Sequence, residues 1–250
     1  MTVDGAAYAA AVRESLDRVI EASGPQIARA ADLITESLRA GGVIQAFGSG
    51  HSEALAMEIA GRAGGLVPTN RLALRDVVIF GGEPPAVLSE GTLERDPDIA
   101  HRILALADIR PEDIFVIASN SGINGSVVEL AQQIKGHGHR LIAITSLEHT
   151  RRVEPRHPSG LRLSDLADVV LDNGAPYGDA VLPLPGGGAV GAVSSLTAAL
   201  LAQMIVTEVV KRLLDAGVEP PVYLSANVPG GDEHNKVLED RYAGRIRRTA

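Results

Sequence analysis

Residues 43–53 read VIQAFGSGHSE, and residues 114–126 read IFVIASNSGINGS. In each stretch a short apolar run ends in a turn of glycine, serine and asparagine, and a segment with the apolar spacing of a helix follows. An apolar run of about five residues bounded in this way is typical of a strand that is buried on both faces. The two stretches therefore predict two units of strand, polar turn and helix.

The same alternation extends through the middle of the chain. We predict strands at Val43–Phe47, Asp76–Phe80, Ile114–Ala118, Leu141–Thr145 and Val169–Leu171. Helical spacing predicts helices at Glu53–Ala63, Ile99–Leu106, Ser126–Lys135, Leu163–Ala167 and Ser195–Ala216, and a final helix from Asp232. Strands that alternate with helices favour an α/β fold with a parallel sheet covered on both faces. In that architecture ligands bind beyond the carboxyl ends of the strands.

The residues before the first strand predict a pair of helices. Apolar residues recur at helical spacing over residues 12–20 and again over residues 27–38. Ser23-Gly24-Pro25 lies between them, and proline suits the first turn of a helix. We therefore expect an antiparallel helix pair that ends at Gly41–Gly42. The single predicted domain then consists of this pair (residues 1–42), an αβα core (43–216) and a C-terminal segment (217–250).

Composition excludes several classes of function. The 250 residues include 23 Lys+Arg against 31 Asp+Glu, and this net charge of −8 argues against nucleic acid or an anionic membrane as a partner. With 4 Tyr, 3 Phe and no Trp, stacking on single-stranded bases is disfavoured. The absence of cysteine excludes disulfides, thiolate metal sites and a cysteine nucleophile, and it suits the reducing cytoplasm.

No segment has the pattern of an export signal or a membrane span. The first 19 residues carry five charges and lack an apolar core. Residues 180–207 are uncharged, but they contain Pro183, Pro185 and three consecutive glycines from Gly186. We therefore expect a glycine-rich loop that leads into a buried helix.

Both polar turns have the composition of an anion site. Glycine lets backbone N–H groups converge, serine adds hydroxyl donors, and the start of the following helix carries a partial positive charge. Glu53 begins the helix after the first turn and would repel an anion, whereas no charged residue occurs from Ile114 to Val128. We therefore expect a phosphate in an uncharged cradle at the second turn and a neutral, hydroxylated group near the first. The uncharged helix start at Val193–Thr197 is a third candidate.

The same residues also have explanations that involve no ligand. Serine and asparagine cap helices in many proteins that bind nothing there. A dinucleotide-binding fingerprint would need a small residue where Glu53 stands, and no Gly-x-x-x-x-Gly-Lys-Ser/Thr loop is present. Two such turns after two strands of one sheet favour a ligand site, although not a nucleotide site.

The turns Gly48–Ser52 and Ser119–Asn124 resemble those of the SIS (sugar isomerase) family of phosphosugar-binding proteins. The similarity covers nearly the whole chain and is strongest to a stand-alone branch of sugar-phosphate isomerases. It implies a SIS-type three-layer αβα sandwich with a five-stranded parallel sheet. The residues that it implies at the phosphate are Ser119, Asn120, Ser121 and Asn124. Those that it implies at the sugar are Ser49, Gly50 and Ser52, with Ser194, Ser195 or Thr197 from the last long helix.

A second local similarity concerns the chemistry. Gly81-Gly82-Glu83 followed by Glu90-Gly91-x-x-Glu94 is similar to a segment of N-acetylmuramic acid 6-phosphate etherases that carries a catalytic glutamate, and Glu90 is the matching position. Phosphoheptose isomerases place a zinc-binding His and Glu on the helix after the first turn. Here the comparable residues are Glu58 and Arg62, so we expect neither a metal nor a cofactor.

Aldose–ketose isomerisation moves a proton between C2 and C1 through an enediol, which requires a base and a donor at the carbonyl. We predict Glu90 as the base, Glu58 as a second acid or base, and His51 or His234 as the group that opens the ring. Three of these residues have a structural alternative. Glu58 can pair with Arg62, Glu90 can be a solvated loop charge, and His234 can cap a helix or bridge subunits.

The function expected from these residues and from the resemblance is a cofactor-free sugar-phosphate isomerase or a related lyase. The alternative is a non-catalytic sensor that binds a phosphosugar and reports to a partner. In both cases the partner is a small phosphorylated sugar, and we expect a homodimer or homotetramer. His149 is a weaker candidate for a role at the ligand.

Overall fold

In a computed structural model, residues 2–89 and 91–248 are described. Five strands within these ranges form a parallel sheet in the order β2-β1-β3-β4-β5. The strands are β1 (Ile44–Gly48), β2 (Thr69–Leu72), β3 (Ile114–Ala118), β4 (Arg140–Thr145) and β5 (Val169–Asp172). The chain leaves β1 toward β2 on one side and returns to β3 on the other, so the strand order reverses between β1 and β3. A crevice for ligands opens at such a reversal.

Helices cover both faces of this sheet. They are α1 (Gly5–Arg39), α2 (Glu53–Ile59), α3 (Asp76–Ile79), α4 (Asp98–Ala105), α5 (Gly125–Gly136), α6 (Leu147–Arg152), α7 (Leu163–Leu166), α8 (Ser194–Asp215) and α9 (Gly231–Glu239). An antiparallel hairpin of β6 (Ala180–Pro183) and β7 (Ala189–Ala192) precedes α8. Within the described ranges, no helix is both long enough and apolar enough to span a bilayer.

The alternation of β3 shows how the sheet separates two apolar layers. Ile114, Val116 and Ala118 pack with α1, α2 and α8, whereas Phe115 and Ile117 pack with α4 and α5. Both sets are at most 4% exposed, because successive side chains of a strand point to opposite faces and both faces are covered. The three-layer αβα sandwich predicted from the sequence is therefore confirmed.

The predicted N-terminal helix pair is wrong, because α1 is one continuous helix of 35 residues with Pro25 inside it. A buried stripe that includes Val19, Ile27 and Ile34 runs past the proline, mainly against α8. Proline removes one backbone donor, and the packing of this stripe outweighs that loss. The division of the chain at residues 42 and 216 stays a prediction.

The second predicted strand, Asp76–Phe80, is wrong. Asp76–Phe80 is not a strand; the carboxylate of Asp76 accepts a hydrogen bond from the Ala73 amide (3.0 Å), and α3 begins there. The strand is instead Thr69–Leu72, whose polar sequence hides its burial. Nδ2 of Asn70 donates to Oε1 of Gln45 in β1 (2.9 Å), so β1 and β2 share a buried polar pair where buried strands usually have apolar side chains.

Other boundaries differ less. The helix predicted at Glu53–Ala63 ends at Ile59, because Gly61 adopts φ +85°. Helix α6 lies in a segment for which we predicted no helix, and the β6–β7 hairpin forms where we expected a glycine-rich loop. The remaining predicted strands and helices agree with the structure to within a few residues.

The C-terminal segment seals the amino end of the sheet. The side chain of Asp113 is fully buried and accepts hydrogen bonds from the Val43 amide (2.9 Å) and from Nε2 of Gln45 (2.9 Å). Arg245 forms an ion pair with the same carboxylate and donates to the carbonyl of Gly41 (2.7 Å). Arg248 donates to the carbonyls of Val67 and Thr69, each at 2.8 Å. Residues 245–248 therefore join the segments that lead into β1, β2 and β3.

Candidate functional site

A cavity of about 560 Å³ opens at the carboxyl ends of β1 and β3, which is the size of a small-ligand site. Many of the predicted site residues line it, namely Ser49, Gly50, His51, Ser52, Glu58, Ser119, Asn120, Ser121, Ser194 and Ser195. The lining also includes His149, the weaker candidate, together with Glu94, Asn173 and Asp179, which were not among the predicted site residues. The structure thus brings the two polar turns and the start of α8 together around one cavity.

The second turn is fixed by hydrogen bonds from its own residues and from the loops after β4 and β5. Oγ of Ser119 accepts from the Gly122 amide (3.1 Å), and Gly122 adopts φ +64°, where an L side chain is strained. Nδ2 of Asn173 donates to Oδ1 of Asn120 (3.0 Å). The hydroxyl of Thr150 donates to the carbonyl of Ser121. The backbone of the turn is therefore held in one shape before any ligand arrives.

Glu94 brings a carboxylate to both turns, which the sequence alone did not predict. Its Oε1 accepts hydrogen bonds from Oγ of Ser49 (2.9 Å) and from Nδ2 of Asn124 (2.5 Å). Its backbone carbonyl accepts from Oγ of Ser126 (2.7 Å). The second turn itself is uncharged, but a residue about 30 positions away in the chain supplies the charge through space. The etherase-like motif contained Glu94, and that was the only sequence signal for it.

Asn124 contacts Glu94 and accepts from Nη1 of Arg156 (3.1 Å), and it is not part of the cavity lining. Arg156 is an exposed cation beside the second turn. Glu90, the predicted base, lies outside the described residues.

The first turn places its backbone too tightly for any side chain at Gly48. A Cβ atom there would lie 2.1 Å from the carbonyl oxygen of Ser52. Residues 50–52 form one 3-10 turn that leads directly into α2, with Gly50 at φ +56°. This geometry directs Ser49, His51 and Ser52 to the cavity, and His51 is exposed.

Glu58 lies at the cavity and also makes the expected pair with Arg62. It lines the cavity from α2, and its Oε1 accepts from Nε2 of Gln203 in α8 (2.7 Å). The same oxygen forms an ion pair with Arg62. A guanidinium does not ligate metals, so Glu58 and Arg62 do not reproduce the His and Glu of a zinc site. Within residues 2–89 and 91–248, no cluster of three or more His, Asp or Glu side chains has the geometry to hold a metal ion.

Asp179 organises the start of α8. Its Oδ1 accepts from the amides of Ser194 (2.8 Å) and Val193 (3.2 Å), and its Oδ2 accepts from Oγ of Ser194 (2.7 Å). Asp179 has φ +70°, a left-handed conformation that aspartate tolerates better than most residues. Thr197 is fully buried, and its hydroxyl donates to the carbonyl of Val193 (3.3 Å), so it is engaged inside the helix rather than in the lining.

The two other candidate histidines, His234 and His149, lie in different parts of the structure. Nε2 of His234 hydrogen-bonds the carbonyl of Val222 (3.0 Å) in the C-terminal segment, so a single chain does not bring His234 to the cavity. His149 lines the cavity from α6, and its Nδ1 accepts from the amide of Gly178 (3.0 Å). Burial lowers the pKa of His149 below its ordinary value, and the nearby carboxylate of Asp179 opposes this shift by a smaller amount.

Comparisons with known proteins agree with this architecture. A family model described as the SIS domain matches residues 7–146. A UPF0309 protein of Listeria monocytogenes is 42% identical over 235 residues, which cover 94% of this chain and 95% of that protein. A UPF0309 protein of Geobacillus kaustophilus is 35% identical over 240 residues, which cover 96% of this chain and 94% of that protein.

Solved structures with the same fold include two phosphoheptose isomerases. The enzyme from Neisseria gonorrhoeae has a TM-score of 0.55 at 19% identity and covers 82% of this chain and 96% of its own. The enzyme from Francisella tularensis also has a TM-score of 0.55 at 19% identity, and covers 84% of this chain and 100% of its own. At this identity the likeness establishes the fold alone. Because the family match covers more than half of the chain and the relatives align over nearly all of it, the chain belongs to the SIS domain family.

Proposed function

We propose that this chain binds a phosphorylated sugar in the cavity between β1 and β3 and isomerises it between the aldose and ketose forms without a cofactor. The observation that carries the proposal is the rigid Ser-Asn-Ser-Gly turn at residues 119–122, which faces the hydroxyl-lined first turn across one cavity. The fold shared with two phosphoheptose isomerases supports the same reaction class. The site assignments that follow are part of this proposal.

The phosphate is assigned to the second turn and the sugar to the first. Ser119, Asn120 and Ser121 offer hydroxyl, amide and backbone donors at the helix end that favours an anion. Asn124 contributes to the phosphate site while Glu94 holds its side chain. Ser49, Gly50 and Ser52 line the sugar, and Ser194 and Ser195 contact it from α8. Thr197 supports that helix start from inside.

The chemistry requires a base that takes the C2 proton and returns it to C1. Glu90 is the proposed base by its motif, with Glu58 as a second acid or base and His51 for ring opening. His234 is proposed to act in the cavity of a neighbouring copy, since its own chain keeps it elsewhere. We place this homodimer or homotetramer in the cytoplasm.

Two alternatives use the same cavity. The etherase-like segment around Glu90 favours a lyase, which removes the same α-proton and then expels a substituent at C3. A non-catalytic phosphosugar sensor is favoured by the engagement of Glu58 with Arg62 and Gln203, because a carboxylate oxygen that two protein groups already contact is less available to a substrate. Loss of a substituent would identify the lyase, and binding without any conversion would identify the sensor.

The wild-type protein should convert at least one member of a panel of hexose, heptose and amino-sugar 6-phosphates. The carboxylic acid that carries the former C2 proton exchanges it with solvent, so we expect deuterium at C1 of the ketose when the reaction runs in D₂O. Proton NMR of the panel measures both conversion and exchange. A panel that binds, by thermal shift, but stays chemically unchanged would contradict the enzymatic proposal.

Ser121→Ala should weaken binding of the sugar phosphate by about 1–3 kcal/mol, because one hydroxyl donor to the phosphate is lost. Its carbonyl contact with Thr150 is unaffected, so the melting temperature should change little. Calorimetric titration measures the affinity. Ser119→Ala should reduce both affinity and stability, because it also removes the acceptor for the Gly122 amide.

Ser164→Ala, in α7 and outside the cavity, is the matched control and should bind like the wild type. The assignment of the phosphate to residues 119–124 would be contradicted if Ser121→Ala weakened the dephosphorylated sugar as much as the phosphorylated one.

A further inference from the structure

His149 lines the cavity, and one of its ring nitrogens is engaged by the protein. It lies in α6, directly after β4, and its ring stacks on Tyr177 with centroids 5.2 Å apart and planes at 28°. Its backbone amide donates to Oγ of Ser146 (3.0 Å), which caps this helix. The ring is therefore held by a stacking partner, a capped helix and the amide of Gly178.

The contact with Gly178 fixes which nitrogen carries the proton. A backbone amide only donates, so Nδ1 must accept and cannot hold a proton in this geometry. The neutral ring then carries its proton on Nε2. Nε2 makes no hydrogen bond to any residue in the ranges 2–89 and 91–248, although His149 lines the cavity. An N–H donor without a protein acceptor thus remains available to a ligand.

Resting on the proposed function, we propose that His149 is a catalytic residue whose neutral Nε2–H donates to the carbonyl oxygen of the open-chain sugar and shuttles a proton between O1 and O2. The proposed function described above gives His149 no role. A neutral imidazole suits the task because it polarises the carbonyl without placing a full charge in the cavity.

The protons and electrons balance through the enediol. A carboxylate takes the C2 proton of the aldose, the C–H electrons form a C1=C2 bond, and the carbonyl pair moves onto O1. O1 then takes the Nε2 proton while Nε2 takes the hydroxyl proton of O2, so the ring ends with the same proton count. The carboxylic acid returns its proton to C1 as C2=O forms, which gives the ketose.

The surroundings keep the ring neutral. Protonation at Nδ1 would set two N–H groups against each other at 3.0 Å, and burial disfavours the imidazolium. The carboxylate of Asp179, in the loop before β6, favours it. The other charged or titratable groups on the elements around the ring are Glu148, Arg151 and Arg152 on α6, Asp172 at the end of β5, Tyr177, and across the cavity His51, Glu58 and Glu94.

The first test needs no substrate. In the ¹⁵N NMR spectrum of imidazole-labelled wild-type protein, His149 should show an unprotonated Nδ1 and a protonated Nε2 at pH 7, assigned by loss of the signals in His149→Asn. A ring protonated on Nδ1 would overturn the inference whatever the enzyme's activity.

The second test separates the donor from the structural contact. In His149→Asn, Oδ1 can still accept from Gly178 but the donor at Nε2 is lost, so kcat should fall on the order of 10²–10⁴-fold with KM nearly unchanged. In His149→Gln, the amide Nε2 reaches further and should restore part of kcat. His137→Asn, at the end of α5 and outside the cavity, is the control and should keep wild-type kinetics.

The two proposals can fail separately. If wild-type protein binds every sugar phosphate and converts none, the isomerase function fails. If wild-type protein is active and His149→Asn keeps its kcat, the isomerase function stands and the role of His149 is overturned.

Discussion

Asp113→Ala should lower the free energy of unfolding by about 3–5 kcal/mol, because Arg245 would keep a buried charge without its partner. The side chain of Asp113 is 0% exposed and that of Arg245 is 6% exposed, so water cannot replace the lost carboxylate. The Val43 amide and the Gln45 side chain would lose their acceptors as well. Denaturant unfolding, followed by circular dichroism, measures the change.

Asp108→Ala is the matched control for this prediction. Asp108 forms its ion pair with Arg110 at 3.2 Å, but both side chains are about half exposed. An exposed pair of this kind contributes at most about 1 kcal/mol. Equal losses in Asp108→Ala and Asp113→Ala would show that the buried network at the amino end of the sheet has no special weight.

Gly125→Ala should weaken sugar-phosphate binding at least about tenfold and destabilise the protein by about 1–3 kcal/mol. A Cβ atom at residue 125 would lie 2.1 Å from the carbonyl oxygen of Arg95. The backbone of residue 95 must therefore move away from α5, and it carries the neighbouring Glu94 out of its contacts with Ser49 and Asn124. Calorimetric titration and thermal unfolding measure the two effects.

Gly136→Ala tests whether this effect arises from the clash rather than from the loss of a glycine. Gly136 ends the same helix, and a Cβ atom there meets nothing within 4 Å. Alanine is the better helix former, so stability should stay equal or rise by up to about 1 kcal/mol. Wild-type affinity in Gly125→Ala would contradict the assigned link between α5 and residues 94–95.

Local sequence patterns were sufficient to predict a strand whose residues are all buried. The strand Ile114–Ala118 could be predicted to the residue, since both of its faces are covered and all five side chains are buried. The strand Thr69–Leu72 could not, because its inward polar side chain is satisfied by Gln45, a residue of another strand. The continuity of α1 through Pro25 depends on packing against α8, which local propensity does not contain.

Some residues of the candidate site could likewise be predicted from the sequence, and others could not. The two turns follow strands directly, so sequence order was enough to locate Ser49 and Ser119 at one edge of the sheet. Glu94 and Asp179 reach the cavity through irregular segments whose course depends on tertiary contacts. His149 had no periodic signal either, and only the amide of Gly178 shows which of its nitrogens is available.

The ion pair between Asp113 and Arg245 joins residues that are synthesised far apart in time. All five strands of the sheet have been synthesised by residue 172, whereas the counter-ion of Asp113 is added only at residue 245. A nascent chain can therefore assemble its sheet before Arg245 is available, but it stays weakly closed at the amino end of the sheet until then. Prematurely terminated products would lack that closure, which makes them easy substrates for proteolytic clearance.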